Sequence, residues 1–216
     1  MASFKQRLLR SIVRPSIVRQ FHDPAGPGGH IAGWVMGHRS SNVQRNKWAV
    51  ELLDVQPTDR VLELGCGPGV AVAALAGGAT RGLVVGVDHS EVMIRQARRR
   101  NAAAIRQGRV RLIHSPVERL QVINGPFDAA LAVNNVGMWP EPTTQLRDIG
   151  RLLRPGGRIA LVSQPRCLGA TAATSAEAAD RLRALLSQAG FRDLRSEMLE
   201  LNPPAACVLA TRARGD

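Results

Sequence analysis

From Arg60 to the C-terminus, short apolar runs alternate with longer amphipathic stretches. The runs Arg60–Leu64, Gly82–Val87, Arg109–Ile113, Phe127–Val133 and Arg158–Val162 are rich in Val, Leu, Ile and Ala. That pattern predicts strands buried on both faces. Between them, helical spacing predicts helices at Gly69 to about Ala76, Ser90 to about Ile105 and Thr143–Leu153. A late helix follows at Thr174–Gln188, then strands near Leu194–Leu201 and Ala206–Thr211. No helix fits between those last two strands, so they pair as a hairpin and one runs antiparallel. The pattern therefore gives an α/β class: seven strands, mostly parallel, with helices on both faces of the sheet and an antiparallel C-terminal strand.

The segment before Arg60 reads differently. Residues 1–22 hold five basic residues (Lys5, Arg7, Arg10, Arg14, Arg19) and no acid. Phe4, Leu8 and Ile12 recur every fourth residue, which predicts a basic amphipathic helix interrupted at Pro15. Three roles fit it: a cap on the domain, a helix lying on an anionic membrane surface, or an Arg-rich, acid-free transit segment. A Gly/Pro-rich stretch, 22–30, marks a boundary. Residues 31–36 could form a short apolar helix, and Ser41–Leu53 reads as a helix. The expected organisation is an N-terminal extension and lid over 1–40 and one ligand-binding domain over 41–216.

Composition narrows the picture little. No apolar run reaches the roughly 18 residues that a spanning helix needs, so a cytoplasmic or peripherally membrane-associated protein is expected, with organelle import as the third option. The net charge is +12, carried by 29 basic residues of which two, Lys5 and Lys47, are lysines. Such a balance admits nucleic acid, anionic lipid or an acidic substrate as partner. Cys66, Cys167 and Cys207 are widely spaced, and neither a disulfide framework nor a metal site is expected.

The sharpest local feature is Val61-Leu62-Glu63-Leu64-Gly65-Cys66-Gly67-Pro68-Gly69. A buried strand runs into three glycines at alternate positions, which allow a tight turn and close approach of a ligand to the backbone. The next helix starts there, so its unpaired N–H groups face the same point. A second strand, Val84–Val87, ends in Asp88, 23 residues after Gly65. In adjacent parallel strands that carboxylate reaches a ribose and accepts from both hydroxyls. It could equally cap the helix starting near Ser90, and the two roles are compatible. A third block, Arg151-Leu152-Leu153-Arg154-Pro155-Gly156-Gly157-Arg158-Ile159, reads as a helix stopped by Pro155, a glycine turn and a strand.

In that order the three blocks resemble the class I methyltransferase family, from about residue 48 to the C-terminus. The resemblance implies a Rossmann-like sheet and S-adenosylmethionine as cofactor. It places Glu63 near the cofactor's methionine part, with Gly65, Cys66, Gly67 and Gly69 along the loop. Asp88 would hold the ribose, with His89 and Met93 near the adenine. Family members usually carry Asp-Ala after the third strand. Here Pro116-Val117 stands instead, which leaves adenine to the Val117 N–H, with Glu118 one step beyond.

The fourth strand ends in Val133-Asn134-Asn135-Val136-Gly137-Met138-Trp139-Pro140, which by fold position faces the transferred methyl. Asn134 is expected at the cofactor. Asn135, Met138 and Trp139 are candidates for the acceptor side, although each also fits a strand-end or packing role. His114, His30 and His38 are candidate bases, and none is assigned. The Arg95–Arg100 and Arg106–Arg111 cluster fits a solvated helix face or a nucleic-acid surface, with no aromatic residue interleaved to stack on bases. The expected activity is methyl transfer to a small-molecule or lipid-like acceptor. An RNA methyltransferase and a non-catalytic cofactor-binding or membrane-associated module are the rivals.

Overall fold

The computed structural model describes residues 40–213. The predicted extension, including the 1–22 helix, the 31–36 helix, His30 and His38, lies outside the described residues. The chain enters through helix α1 (Ser40–Leu53) and then strand β1 (Arg60–Leu64). Helix α2 (Val70–Gly78), β2 (Leu83–Asp88), α3 (Glu91–Arg100), α4 (Ala102–Arg106) and β3 (Val110–His114) follow. Next come β4 (Phe127–Val133), α5 (Pro142–Leu152), β5 (Leu153–Ser163), α6 (Ala172–Gln188), β6 (Phe191–Leu199) and β7 (Ala205–Arg212).

The strands form one sheet in the order β3-β2-β1-β4-β5-β7-β6. β1 to β5 are parallel, and β7 runs antiparallel to both β5 and β6. The order reverses at β1, whose neighbours are β2 on one side and β4 on the other. In an open parallel sheet the connections diverge at such a point and leave a crevice at the carboxyl ends of the strands.

Strand alternation sorts the apolar side chains into two cores. Leu62, Leu64, Val85 and Val87 join Leu146, Ile149, Leu182 and Leu186 on the α5–α6 face. Val61, Val84, Leu131 and Val162 join Ala49, Leu53, Leu75 and Ile94 on the α1–α2–α3 face. The same alternation puts Glu63, Gly86 and Asp88 on the second face, because Glu63 pairs with Gly86 and Asp88 follows two residues later. Two carboxylates are thus held side by side near the strand ends.

Acids pin the opposite end of the sheet. Asp59 pairs with Arg158, where β5 resumes its pairing with β4. Asp128 pairs with Arg154 at 2.5 Å and accepts from the Arg60 N–H at 2.8 Å.

The structure departs from the sequence expectation at three points. The helix predicted to run from Ser90 to Ile105 breaks at Asn101 (φ −103, ψ 16). Its side-chain amide donates to the Ala97 carbonyl at 2.9 Å and the Gly69 carbonyl at 3.1 Å, which ends the helix and ties it to the glycine loop. Pro155 does not stop α5. The helix ends at Leu152, because Leu153 is already extended and pairs with Phe127, both fully buried. Residues 154–157 then loop out before pairing resumes at Arg158 opposite Ala129. Two short 3-10 turns, Val117–Val122 and Val136–Met138, were not expected.

Candidate cofactor and acceptor site

The glycine loop sits at the switch point, between β1 and α2. The Cys66 N–H extends the β1–β2 ladder by donating to the Val87 carbonyl at 2.9 Å, and the Gly69 N–H closes a turn onto the Cys66 carbonyl at 3.0 Å. Gly65 and Gly67 show why the loop needs glycine. Both are left-handed, with φ of +64° and +50°. A Cβ on Gly65 would lie 2.1 Å from the Asn135 amide nitrogen, whereas one on Gly67 would meet nothing within 4 Å among the described residues. One glycine is therefore required by its protein neighbour. The other borders open space among the described residues.

Asp88 latches this loop. Its Oδ2 accepts from the Gly67 N–H at 2.8 Å and its Oδ1 from the Ser90 N–H at 2.8 Å. Capping of α3 falls to Ser90, whose hydroxyl accepts from the Met93 N–H at 3.4 Å. Asp88 therefore supports the helix start without being its cap, and each of its oxygens keeps a further lone pair. Burial pushes its pKa up, against the Ser90 and Gly67 N–H groups and the nearby His89 and His114, which hold it down.

Glu63 is more extreme. Its residue is 3% exposed, and its Oε2 has no hydrogen-bond partner among the described residues. Burial, then the charge of Asp88, push its carboxyl well above the usual carboxylate range. A buried carboxyl with an orphaned oxygen beside a second carboxylate makes a site that suits a cation. Cys66 is buried with them. Burial and the two acids push its thiol well up, so it stays protonated and is no nucleophile.

The sign of the linkage gives a prediction. A raised carboxyl pKa means that the folded chain holds the proton while the unfolded chain, near about 4.3 for Glu, has released it. The corresponding stability is fully present below that value and is lost as pH rises through the folded pKa. Glu63→Gln removes the loss. It should stabilise the ligand-free protein at pH 8, with the gain vanishing towards pH 4. Thermal melts across pH measure this; a Glu63→Gln variant that melts lower than wild type at pH 8 contradicts it.

At the end of β4 the two asparagines separate. Asn135 is buried, and its amide donates to the Leu64 carbonyl and, at 3.4 Å, to that of Gly65. Its Oδ1 is buried without a partner among the described residues. Asn134 takes a left-handed backbone (φ 58) and turns away, with its Oδ1 accepting from the Gln164 N–H at 2.6 Å. The asparagine against the glycine loop is therefore Asn135, and Asn134 joins β4 to the end of β5. Met138 stands 43% exposed on the following turn, while Trp139 packs into the core.

The other candidates fall on the β2–β3 side. Met93 is buried at the start of α3, and His89 is exposed 3.7 Å from Asp88 Oδ1. His114, at the end of edge strand β3, contacts the His89 carbonyl oxygen through Nε2 at 2.8 Å. It lies three strand spacings from β4, roughly 14 Å, and so is not beside Asn135. Val117 packs partly against the core and Glu118 is exposed on the 3-10 turn after β3. Arg98, Arg106 and Arg111 line a groove at the outer edge of β3 with Ile105, Val110 and Leu112. Among the described residues no group of three or more His, Cys, Asp or Glu could hold a metal, and no helix is long and apolar enough to cross a membrane.

Sequence reasoning missed Asn101, which braces the loop, and the group Arg45, Gln164 and Arg166 beyond β5. Gln164 lies next to the predicted fifth strand, but nothing in its neighbours marks it.

A glycine loop at the switch point of a doubly wound sheet, backed by an acid at the end of the next strand, defines a nucleoside-binding α/β protein. Residues 61–157 match the family model described as a methyltransferase domain. An uncharacterized methyltransferase of Bacillus subtilis is 29% identical over 183 residues, covering 84% of this chain and 98% of that protein. A demethylmenaquinone methyltransferase of Bacillus cereus is 31% identical over 133 residues, spanning 58% of this chain and 56% of its own length. A crystal structure of a SAM-dependent methyltransferase from Aquifex aeolicus shares the fold, with a TM-score of 0.66 at 17% identity over 92% of this chain and 98% of that one. The chain is a class I S-adenosylmethionine-dependent methyltransferase.

Proposed function

We propose that this methyltransferase holds its cofactor between the Gly65–Gly69 loop and Asp88, and passes the methyl group to a small-molecule or lipid-like acceptor at the end of β4. The observation that carries the reading is the cluster at the switch point. Two buried carboxyls, the orphaned Glu63 Oε2 among them, border a loop whose Gly67 faces open space. S-adenosylmethionine is a cation with a ribose and an amino-acid tail, and each part has a counterpart in this cluster.

In this reading Asp88 accepts from the ribose hydroxyls through its remaining lone pairs, while Gly65, Cys66, Gly67 and Gly69 offer backbone to the tail. Glu63 and the Asn135 Oδ1 face the positively charged part, which relieves the cost of burying them unpaired. His89, Met93, Val117 and Glu118 border the adenine. Bound there, S-adenosylmethionine supplies a methyl group on a sulfonium sulfur, already activated for in-line displacement. The chain's remaining work is to align the acceptor and exclude water. A base is needed only where the acceptor must lose a proton.

The acceptor class is supported by the apolar Val136–Met138 turn, with Met138 exposed beside the buried Asn135. The Bacillus cereus relative is named for a quinone acceptor, which is a lipid-like small molecule.

Incubation with S-adenosylmethionine labelled in the methyl group and a cell extract tests this. Label should enter a fraction extractable into organic solvent or a small-molecule fraction. Label confined to nuclease-sensitive RNA or to precipitated protein would overturn the acceptor class.

A further inference from the structure

Beyond the carboxyl ends of β4 and β5 lies a second polar cluster that the cofactor reading does not use. Arg45 on α1 is 5% exposed, and its Nη1 donates to Gln164 Oε1 at 2.8 Å. Arg166, exposed just past β5, donates to the same oxygen at 3.1 Å and to Asn42 Oδ1 at 2.5 Å. Gln164 is itself buried at 4% exposure, and its orientation is fixed from both sides. Its Nε2 donates to the Pro203 carbonyl at 2.8 Å, so Oε1 must face the two guanidinium groups. Its backbone N–H donates to Asn134 Oδ1.

The cluster is joined directly to the methyl-transfer end of the site. Asn134 links Gln164 to β4, and the next residue, Asn135, is bonded to the loop at Leu64 and Gly65. Two guanidinium forks that share one acceptor oxygen already lie within a single hydrogen-bond shell of each other. An oxyanion brought to that place accepts from both, in the bidentate geometry that suits guanidinium groups. The crevice outside the strand ends is also where ligands enter this type of sheet.

We infer that Arg45 and Arg166 form a subsite for an oxyanion, a carboxylate or phosphate, carried by the methyl acceptor. The inference rests on the proposed reading of the neighbouring loop as the cofactor site. It narrows the acceptor class to anionic molecules and makes Arg166 a specificity-determining residue. Arg45, held from inside by Gln164, is the fixed half of the pair, and Arg166 is the solvent-side half.

The test is calorimetric titration of the full chain, with S-adenosylhomocysteine present, using inorganic phosphate and benzoate as separate probes at constant ionic strength. The subsite predicts saturable binding of at least one probe by wild type. Arg166→Gln should weaken it at least about tenfold, in line with the loss of a charge-assisted bond. Arg99→Gln, on the exposed face of α3, should leave it unchanged. Residues 1–39 contain one carboxylate, Asp23, so Asp23→Asn should keep the response or tighten it. No saturable response in wild type, or equal losses in Arg166→Gln and Arg99→Gln, would overturn the inference and leave the pair as a brace between α1 and β5. Cofactor titration of the same samples reads the other claim separately. Arg166→Gln should bind S-adenosylmethionine within about threefold of wild type, whereas failure of wild type itself would count against the cofactor site.

Discussion

Asp88→Ala is expected to cut S-adenosylmethionine affinity by roughly a hundredfold or more while leaving the sheet folded. Two effects add. Hydrogen bonds to a charged group are worth about 1.5–3 kcal/mol each, and a ribose offers two hydroxyls. The variant also strips the Gly67 and Ser90 N–H groups of their acceptor, so the loop loses the latch that sets its shape. Stability should change far less. Burial raises the Asp88 pKa, so the ionised carboxyl carries a cost in the ligand-free chain that its removal relieves. The signature is a large loss of affinity with a melting temperature within a few degrees of wild type. Asp88→Asn should fall between, because its amide keeps one acceptor oxygen and turns a donor towards a donor. Calorimetric titration decides; affinity within about threefold of wild type for Asp88→Ala would remove Asp88 from the site.

Gly65→Ala should damage both stability and binding. A left-handed alanine costs about 1–2 kcal/mol, and the new methyl would stand 2.1 Å from the Asn135 amide nitrogen. Asn135 must then swing away from the Leu64 carbonyl and lose a buried hydrogen bond, roughly another 1 kcal/mol. The expected loss is on the order of 2–4 kcal/mol of stability, with cofactor affinity down about a hundredfold. The double variant Gly65→Ala/Asn135→Ala separates the causes. It removes the clash and keeps the backbone strain, so it should recover part of the stability and little of the affinity. Denaturant melts and titration of wild type and the two variants measure this. A double variant no more stable than Gly65→Ala would mean that the contact with Asn135 is not the source of the strain.

Much of the fold was legible because its signals are local. Five short apolar-rich runs separated by amphipathic stretches point to a mostly parallel sheet covered by helices, and the close spacing of the last two strands required the antiparallel hairpin. Three alternate glycines followed by Asp88 named the loop and its partner, since both depend on backbone geometry that few other residues supply. What was missed depends on contacts distant in sequence. Asn101 reads as one more polar residue in a helix until its amide is found on Gly69, 32 positions away. Leu153 reads as the last turn of a helix until Phe127 takes it as a strand partner. Asn134 and Asn135 are indistinguishable as a pair, and only the left-handed turn at Asn134 sends one side chain to β5 and the other to the loop. Arg45 and Arg166 are 121 residues apart and meet through Gln164.

The cofactor site is the claim from which the acceptor reading and the anion subsite both follow. A crystal structure of the full chain grown with S-adenosylhomocysteine tests it most directly. The account predicts ribose hydroxyls on the Asp88 carboxylate, the amino-acid tail along Gly65 to Gly69, and Asn135 still bonded to the Leu64 carbonyl. Ligand bound elsewhere, with the Gly65–Gly69 loop and Asp88 untouched, would contradict it.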